Sequence, residues 1–447
     1  MIKLPRLALA IPSVGPEPSP AGLALLAGLT ERRTRVQHFR SRGCPYGTPA
    51  VEQITGRPGR HLDDWLMTPD LCRTVFVRGM CRADLAVVEG TLEPMRAPAG
   101  HAHYDQPGAL GQIALALDLP RIALVPCPRL EGLHLPTLPE GTDAVLLDGL
   151  EEAGSYEAVR RVVALMLNKP VIGAVEAMPG IRAAVRDAGR ESDVPKEIFD
   201  ALGASFLRFA DLHALRTLAE SRDFPVPHDE PCQPPQRRFR VAYAQDEAFG
   251  AYFPDTLETL EALGAELCEF SPLRDESLPE AVDLVMIGCG HPDRHADALA
   301  QNHSLIAALR AHVCDGNRIY SEGGGTAYLG RYLILDGKPV PGAGILPFDA
   351  ELRSNPMPPK PVSRLLTRDS WLGPRGTIVR GYRSGRWRLH PAPEPGDCPG
   401  RSGPLSSQRD IYCRHHAIGS LIHLHLVALP QVVSAFAGPH RPSLSLS

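Results

Sequence analysis

Two segments in the C-terminal half carry residue types that could do chemistry together. Ile319-Tyr-Ser-Glu-Gly-Gly-Gly-Thr-Ala-Tyr-Leu329 runs from an apolar strand end through a glycine-rich turn into a helical pattern. That is the layout of a nucleophile elbow, which lifts a reactive Ser or Cys clear of a sheet. The apex here is Gly323, which has no side chain. Farther on, Gly419-Ser-Leu-Ile-His-Leu-His425 places two histidines two residues apart on a predicted strand, so they share a face. A histidine is the usual proton carrier beside a thiol nucleophile. His423 and His425 could instead form a metal pair, but no acidic or cysteine third ligand is spaced with them in sequence.

Several further segments stand in a fixed order around these two. Val241-Ala-Tyr-Ala-Gln-Asp-Glu-Ala-Phe-Gly-Ala-Tyr-Phe-Pro-Asp-Thr-Leu-Glu-Thr-Leu260 is followed by Gly264-Ala-Glu, Phe270-Ser-Pro-Leu-Arg-Asp and Gly288-Cys-Gly-His-Pro-Asp-Arg-His-Ala296. The N-terminal half adds Thr55-Gly-Arg-Pro-Gly-Arg-His-Leu-Asp-Asp-Trp-Leu-Met67 and Asp84-Leu-Ala-Val-Val-Glu-Gly90. In this order, and over nearly the whole chain, they resemble the cobyrinate a,c-diamide synthase family, glutamine amidotransferases of the cobyric/cobyrinic acid synthase type. The resemblance implies ATP- and glutamine-dependent amidation of tetrapyrrole side-chain carboxylates, as in cobalamin-type biosynthesis.

The resemblance also assigns places, and several are altered. It puts the glutaminase thiol at Gly323, the histidine at His423, and the oxyanion loop at Gly288-Cys-Gly290. Cys289 stands where the family usually has glycine. It is read as a small residue fitting a tight turn, with a displaced nucleophile as the alternative. In the synthetase half, a phosphate-binding loop should follow the first strand, offering backbone N–H groups, a lysine and a hydroxyl. The equivalent segment is Ser13-Val-Gly-Pro-Glu-Pro-Ser-Pro-Ala-Gly22. Pro18 occupies the lysine position and Glu17 replaces a glycine, while Gly15 and Ser19 fit the pattern. Pro16, Pro18 and Pro20 have no N–H to give. Arg40-Ser-Arg-Gly-Cys-Pro-Tyr46 stands in for a Lys-x-Gly-Pro-Asp-Tyr run and has lost its acid. Glu89, which the family places beside Mg²⁺ and phosphate, survives and is expected in a cleft, with capping of a nearby turn as the alternative. Asp63 and Asp64 also persist. The family's Arg-Gly-His-Glu segment, associated with the substrate region, reads Arg380-Gly-Tyr-Arg383.

These losses lead to the expectation of a non-catalytic or repurposed member that binds a tetrapyrrole or corrinoid, or serves a partner amidase or a homodimer. The alternative is an active amidase using ammonia or the Cys289 thiol. No cofactor is certain from the residues themselves; ATP and Mg²⁺ are what the resemblance implies.

The elements that must position these groups read as two α/β domains. Apolar runs at Leu7–Ile11, Val36–Phe39, Leu85–Glu89, Arg121–Val125, Ala144–Leu147 and Val171–Ala174 alternate with helical segments at Gly22–Glu31, Pro107–Leu117 and Ser155–Leu167. The alternation predicts a parallel sheet covered on both faces. The family implies that this half, residues 1–223, is P-loop-NTPase-like (dethiobiotin-synthetase-like). A proline-rich linker is expected at 224–238. A class I glutamine-amidotransferase-like (flavodoxin-like) domain is expected at 239–437, with a tail at 438–447. Its predicted elements are strands Arg240–Gln245, Glu266–Phe270, Leu284–Ile287 and Arg318–Ser321, with helices Pro254–Leu263 and Ser304–Val313. The stretch 390–409, rich in Pro, Gly and Ser, is expected to be a loose insertion loop.

Composition narrows the classes. Of 447 residues, 43% are hydrophobic and 22% charged, ordinary for a globular protein. The net charge is −4 with no basic block, which argues against nucleic-acid binding. No apolar run approaches the roughly 20 residues that cross a bilayer, and Leu7–Ile11 is too short for a secretory signal. Ten cysteines show no C-x-x-C spacing. Some, such as Cys268, are expected to be small buried hydrophobes. Free thiols without an export signal point to the cytoplasm.

Overall fold

In a computed structural model, the described residues are 3–11, 19–43, 49–91, 110–128, 134–188, 194–224, 238–392, 402–406 and 408–437. They form two compact α/β units that part between residues 224 and 238.

The first unit is built on a seven-stranded sheet. Its order is Arg60–His61, Val36–Arg40, Leu85–Thr91, Arg6–Ile11, Arg121–Pro126, Ala144–Leu150, Val171–Glu176. All neighbours are parallel. Parallel sheets need cover on both faces, so their strands are apolar almost throughout. The side chains divide accordingly. Ile122 and Leu124 pack with the helices Pro20–Glu31 and Lys196–Phe209. Ala123 and Val125 pack on the opposite side, against Tyr156, Val159 and Val163 of the helix Tyr156–Leu167. Phe224, read as the first linker residue, instead belongs to this unit. It is fully buried, 5.4 Å from the Phe76 ring and under the Arg6 guanidinium.

The second unit holds a seven-stranded sheet ordered Ala265–Phe270, Phe239–Ala244, Leu284–Ile287, Arg318–Glu322, Ala417–Ser420, Ile411–Arg414, Ser402–Pro404. The first five strands are mutually parallel, and Ile411–Arg414 runs antiparallel to both of its neighbours. All six of its predicted elements lie within one residue of the sequence reading, inside the usual scatter of helix and strand ends.

Three expectations need correction here. First, the sheet is not the whole of this unit. A second, five-stranded sheet contains the long antiparallel pair Phe348–Leu365 and Ile378–Pro391, with Ile422–Leu424 alongside. The sequence reading places no strand there, and prolines such as Pro359 and Pro361 are unusual inside a ladder. The ladder absorbs the irregular stretch by shifting register around Met357. Second, within the expected loop 390–409, residues Ser402–Pro404 pair with Ile411–Arg414, and Leu405 and Ser406 are buried. Residues 393–401 of that loop and the tail 438–447 lie outside the described residues. Third, Cys268 is only partly buried. It sits on the edge strand Ala265–Phe270, where Arg240 donates to its sulfur at 3.4 Å.

Among the described residues, no helix is long and apolar enough to cross a membrane.

Candidate functional site

The elbow geometry is intact. Gly323 joins the strand Arg318–Glu322 to the helix Gly324–Leu329 at φ 52°, ψ −113°. That backbone conformation is open to glycine and strained for any other residue. The turn is held from the neighbouring strand. Gly323 N–H donates to the Ser420 carbonyl at 2.8 Å, and Thr326 Oγ1 bonds both the Ser420 carbonyl and the Ser420 N–H at 2.9 Å.

The space above Gly323 is filled. A Cβ built on this glycine would lie 2.7 Å from Cys289 Sγ. Cys289 comes from the short strand Cys289–Gly290, which pairs with Phe249–Ala251 and faces the elbow. Its sulfur lies 3.7 Å from His423 Nδ1. Reading Cys289 as a filler of its own turn therefore missed half of its role. It fills the slot in which a nucleophile on residue 323 would stand.

His423 sits on the strand Ile422–Leu424, and its ring stacks on Phe253 at 4.1 Å. His425 lies on the same Phe253 ring at 4.5 Å, as expected for two histidines on one face. Burial, then the neighbouring His423, pushes the His425 imidazole down to about 3, so it is neutral at ordinary pH. It therefore offers no charge to the site.

Glu322 is the functional residue that sequence reasoning missed. Its carboxylate bonds His423 Nδ1 through Oε2, and its Oε1 accepts from Tyr320 Oη at 2.7 Å and Leu424 N–H at 2.9 Å. The available signal was its place, one residue before the elbow apex. Because a carboxylate can only accept, His423 Nδ1 must donate to it. The same nitrogen is the one Cys289 approaches. A working triad needs the opposite arrangement, with the base oriented through one ring nitrogen and the thiol served by the other.

The expected oxyanion loop is similarly occupied. Gly288 N–H donates to Tyr252 Oη at 2.9 Å, and that hydroxyl also lies 2.9 Å from the Ala244 carbonyl. Gly290 packs against the Ala248 carbonyl so tightly that a Cβ would meet its oxygen at 2.0 Å. Cys289, Glu322 and His423 are each nine-tenths or more buried. The cavity beside them measures about 10 Å³ and is lined by Tyr252, Phe253, Glu322 and His423 among others. It has room for about one water.

The Arg380-Gly-Tyr-Arg383 segment lies in the strand Ile378–Pro391, beside His423. Tyr382 is fully buried and pairs in register with His423. Arg383 Nε reaches Asp410 Oδ1 at 2.5 Å, and Arg364 Nε reaches the other oxygen at 2.6 Å. Arg383 thus serves a buried ion cluster rather than an open substrate surface. Asp410→Asn should lower stability by about 2 kcal/mol, the usual worth of a charge-assisted hydrogen bond. Hydrogen exchange in the strands Ile378–Pro391 and Ile411–Arg414 checks this, and unchanged protection there would remove the structural role given to Arg383.

In the first unit, Gly15 and Pro18 lie outside the described residues. Ser19 is the N-cap of the helix Pro20–Glu31, with Oγ accepting from Gly22 N–H. Glu89, at the C-terminal end of its strand, is fully buried rather than open in a cleft. Its Oε1 accepts from Ser19 N–H at 2.8 Å and Ser19 Oγ at 2.6 Å, and its Oε2 lies 3.1 Å from His38 Nε2. Gly22 permits this approach, since a Cβ there would meet Glu89 Oε1 at 2.6 Å. The N-terminus of a helix is where a phosphate would bind. In this chain the protein's own carboxylate is already there. His38, on the neighbouring strand, was not singled out from sequence; a histidine inside a fully buried strand was the available clue. Arg40, also buried, stands opposite Glu89 in strand register. Asp63 is fully buried and accepts from Gly43, Trp65 and Leu66 N–H groups, a loop-shaping role.

The comparisons with known proteins agree with this framework. Residues 240–427 match the CobB/CobQ-like glutamine amidotransferase domain. The chain is 28% identical to hydrogenobyrinate a,c-diamide synthase of Streptomyces coelicolor over 489 aligned positions, 98% of each chain. It is 26% identical to cobyrinate a,c-diamide synthase of Dehalococcoides mccartyi over 484 positions, 97% of this chain and 98% of the other. Against the Salmonella typhimurium cobyrinate a,c-diamide synthase it is 28% identical over 324 positions, 70% of each chain.

Proposed function

Because this chain belongs to the cobyrinate a,c-diamide synthase family, we propose that it keeps the family's framework and binds a tetrapyrrole carboxylate without hydrolysing glutamine. It acts either as a binding protein or beside a partner amidase. The observation that carries this reading is the filled slot at the elbow, where residue 323 has no side chain and Cys289 Sγ takes its space. Two further features agree with it. Glu322 holds His423 through the wrong nitrogen for a Cys289 nucleophile. The Gly288 N–H is already bonded.

The nucleotide side supports the same reading. A triphosphate at the first helix would have to displace or face the Glu89 carboxylate. Like charge at that distance opposes binding. The expected result is no calorimetric binding of Mg²⁺–ATP at micromolar concentration, together with measurable binding of cobyrinate. Tight ATP binding with glutamine-dependent amide formation would overturn the proposal.

A second reading is favoured by one distance, the 3.7 Å between Cys289 Sγ and His423 Nδ1. On that reading Cys289 is a displaced nucleophile. Mass mapping after treatment with a glutamine-mimic electrophile separates the two. Rapid modification of Cys289 supports the second reading, and its resistance supports the first.

A further inference from the structure

The vacated glutaminase centre contains a set of groups that hydrolysis would not require in this form. Cys289 Sγ, His423 Nδ1 and a Glu322 oxygen lie within 4.8 Å of one another, and all three residues are buried. They come from three separate strands: Cys289–Gly290, Arg318–Glu322 and Ile422–Leu424. The convergence is therefore tertiary rather than a local accident. We propose that this cluster binds a single borderline-soft divalent cation, with Zn²⁺ as the best match. The proposal rests on reading the centre as non-hydrolytic.

The donor set fits that ion. One thiolate, one imidazole and one carboxylate are the ligand types Zn²⁺ takes, with Zn–S near 2.3 Å and Zn–N near 2.0–2.1 Å. Two such bonds at a tetrahedral angle place sulfur and nitrogen about 3.6 Å apart. The observed Cys289–His423 separation is 3.7 Å. The Glu322 oxygen must move away from Nδ1 to take its own corner, which replaces its hydrogen bond to the ring with a bond to the metal. The supporting contacts are already built. Tyr320 Oη and Leu424 N–H hold the other Glu322 oxygen, and Phe253 fixes the His423 plane. Such outer contacts orient metal ligands. Glu322 and His423 also border the cavity of about 10 Å³, which offers room for one water as a fourth ligand.

The proton balance is simple. Binding releases the Cys289 thiol proton to solvent, and the His423 proton shifts from Nδ1 to Nε2. No redox partner is required. A hard cation would gain little from the sulfur, so Mg²⁺ and Ca²⁺ should not compete.

The test uses the full chain, stripped with chelator and kept under reducing conditions. Co²⁺ is added as a spectroscopic probe. One equivalent should produce a near-ultraviolet thiolate-to-cobalt band and a tetrahedral visible spectrum, both displaced by one equivalent of Zn²⁺. Cys289→Ser should remove the near-ultraviolet band, and His423→Asn should weaken affinity by at least about tenfold. So that the test does not depend on the folding of either variant, the unaltered protein supplies a second readout. Zn²⁺ should slow alkylation of Cys289, mapped by mass spectrometry after brief partial denaturation, more than that of exposed Cys314. Absence of the band with no protection of Cys289 overturns the site, as does a band that persists in folded Cys289→Ser. Glutamine hydrolysis is measured on the same stripped samples. Inactive protein that binds no metal removes only this inference, whereas active stripped protein removes the reading beneath it.

Discussion

The double variant Gly323→Cys, Cys289→Gly will hydrolyse glutamine measurably, while the unaltered protein and the single variant Gly323→Cys will not. The single change restores the expected atom in an occupied space. Its Cβ would fall 2.7 Å from Cys289 Sγ, well inside contact distance. It also forces a non-glycine residue into φ 52°, ψ −113°, at a cost of about 1–3 kcal/mol. Removing the Cys289 side chain clears the slot and returns glycine to the loop. The Ser420 and Thr326 bonds still hold the turn. The gain should be modest, on the order of 10²-fold above the unaltered protein, against the roughly 10⁶ that a nucleophile within a complete site is worth. The shortfall follows from Glu322 pinning His423 Nδ1 and from Tyr252 occupying the Gly288 N–H. Ammonia release from glutamine in a coupled assay reads the result. Activity in the single variant would show that Cys289 does not fill the slot. A folded double variant with no activity would show that the slot is not the limiting defect.

Much of the framework was legible because parallel strands are continuous apolar runs and the punctuating Gly and Pro residues mark their ends. Leu7–Ile11, Arg121–Val125 and Leu284–Ile287 each stand out in this way, and each is a strand. The five-stranded sheet was not legible, because a proline-rich stretch such as Pro358 to Pro361 resembles a loop unless its partner strand is known. The elbow could be read from local sequence, since a tight turn is a local object. What fills it could not. Cys289 and Gly323 are separated along the chain and meet only through tertiary packing of the 288–290 loop on the elbow. The same limit hid the ligands around His423. Glu322 and Cys289 reach it across strand order, with sequence separations of 101 and 134. Likewise Glu89 was legible as a strand-end carboxylate, but its buried partner His38 was not, because strand neighbours are set by sheet order.

Glu89 supplies the other large effect. Glu89→Ala should destabilise the first unit by about 3 kcal/mol, on the order of the cost of leaving buried donors without their charged acceptor. The change leaves Ser19 N–H and Oγ without their acceptor and strands His38 in a fully buried place. Since the chain has two units, a single unfolding curve will not isolate this effect. Hydrogen exchange in the helix Pro20–Glu31 and the strand Leu85–Thr91 will. Glu89→Gln is the more informative partner. An amide keeps an oxygen for Ser19 and can donate to His38 Nε2, so the loss should fall to about 1 kcal/mol. Its effect on nucleotide then separates two roles for one residue. If Glu89 occupies the helix N-terminus as an internal anion, removing its charge relieves repulsion and Mg²⁺–ATP should bind more tightly to Glu89→Gln than to the unaltered protein. If Glu89 is a ligand of the nucleotide's Mg²⁺, the same change should weaken binding. The Ser19 and His38 contacts predict the first direction. A loss of ATP affinity in folded Glu89→Gln would return this residue to metal binding and reopen ATP-dependent activation for this chain.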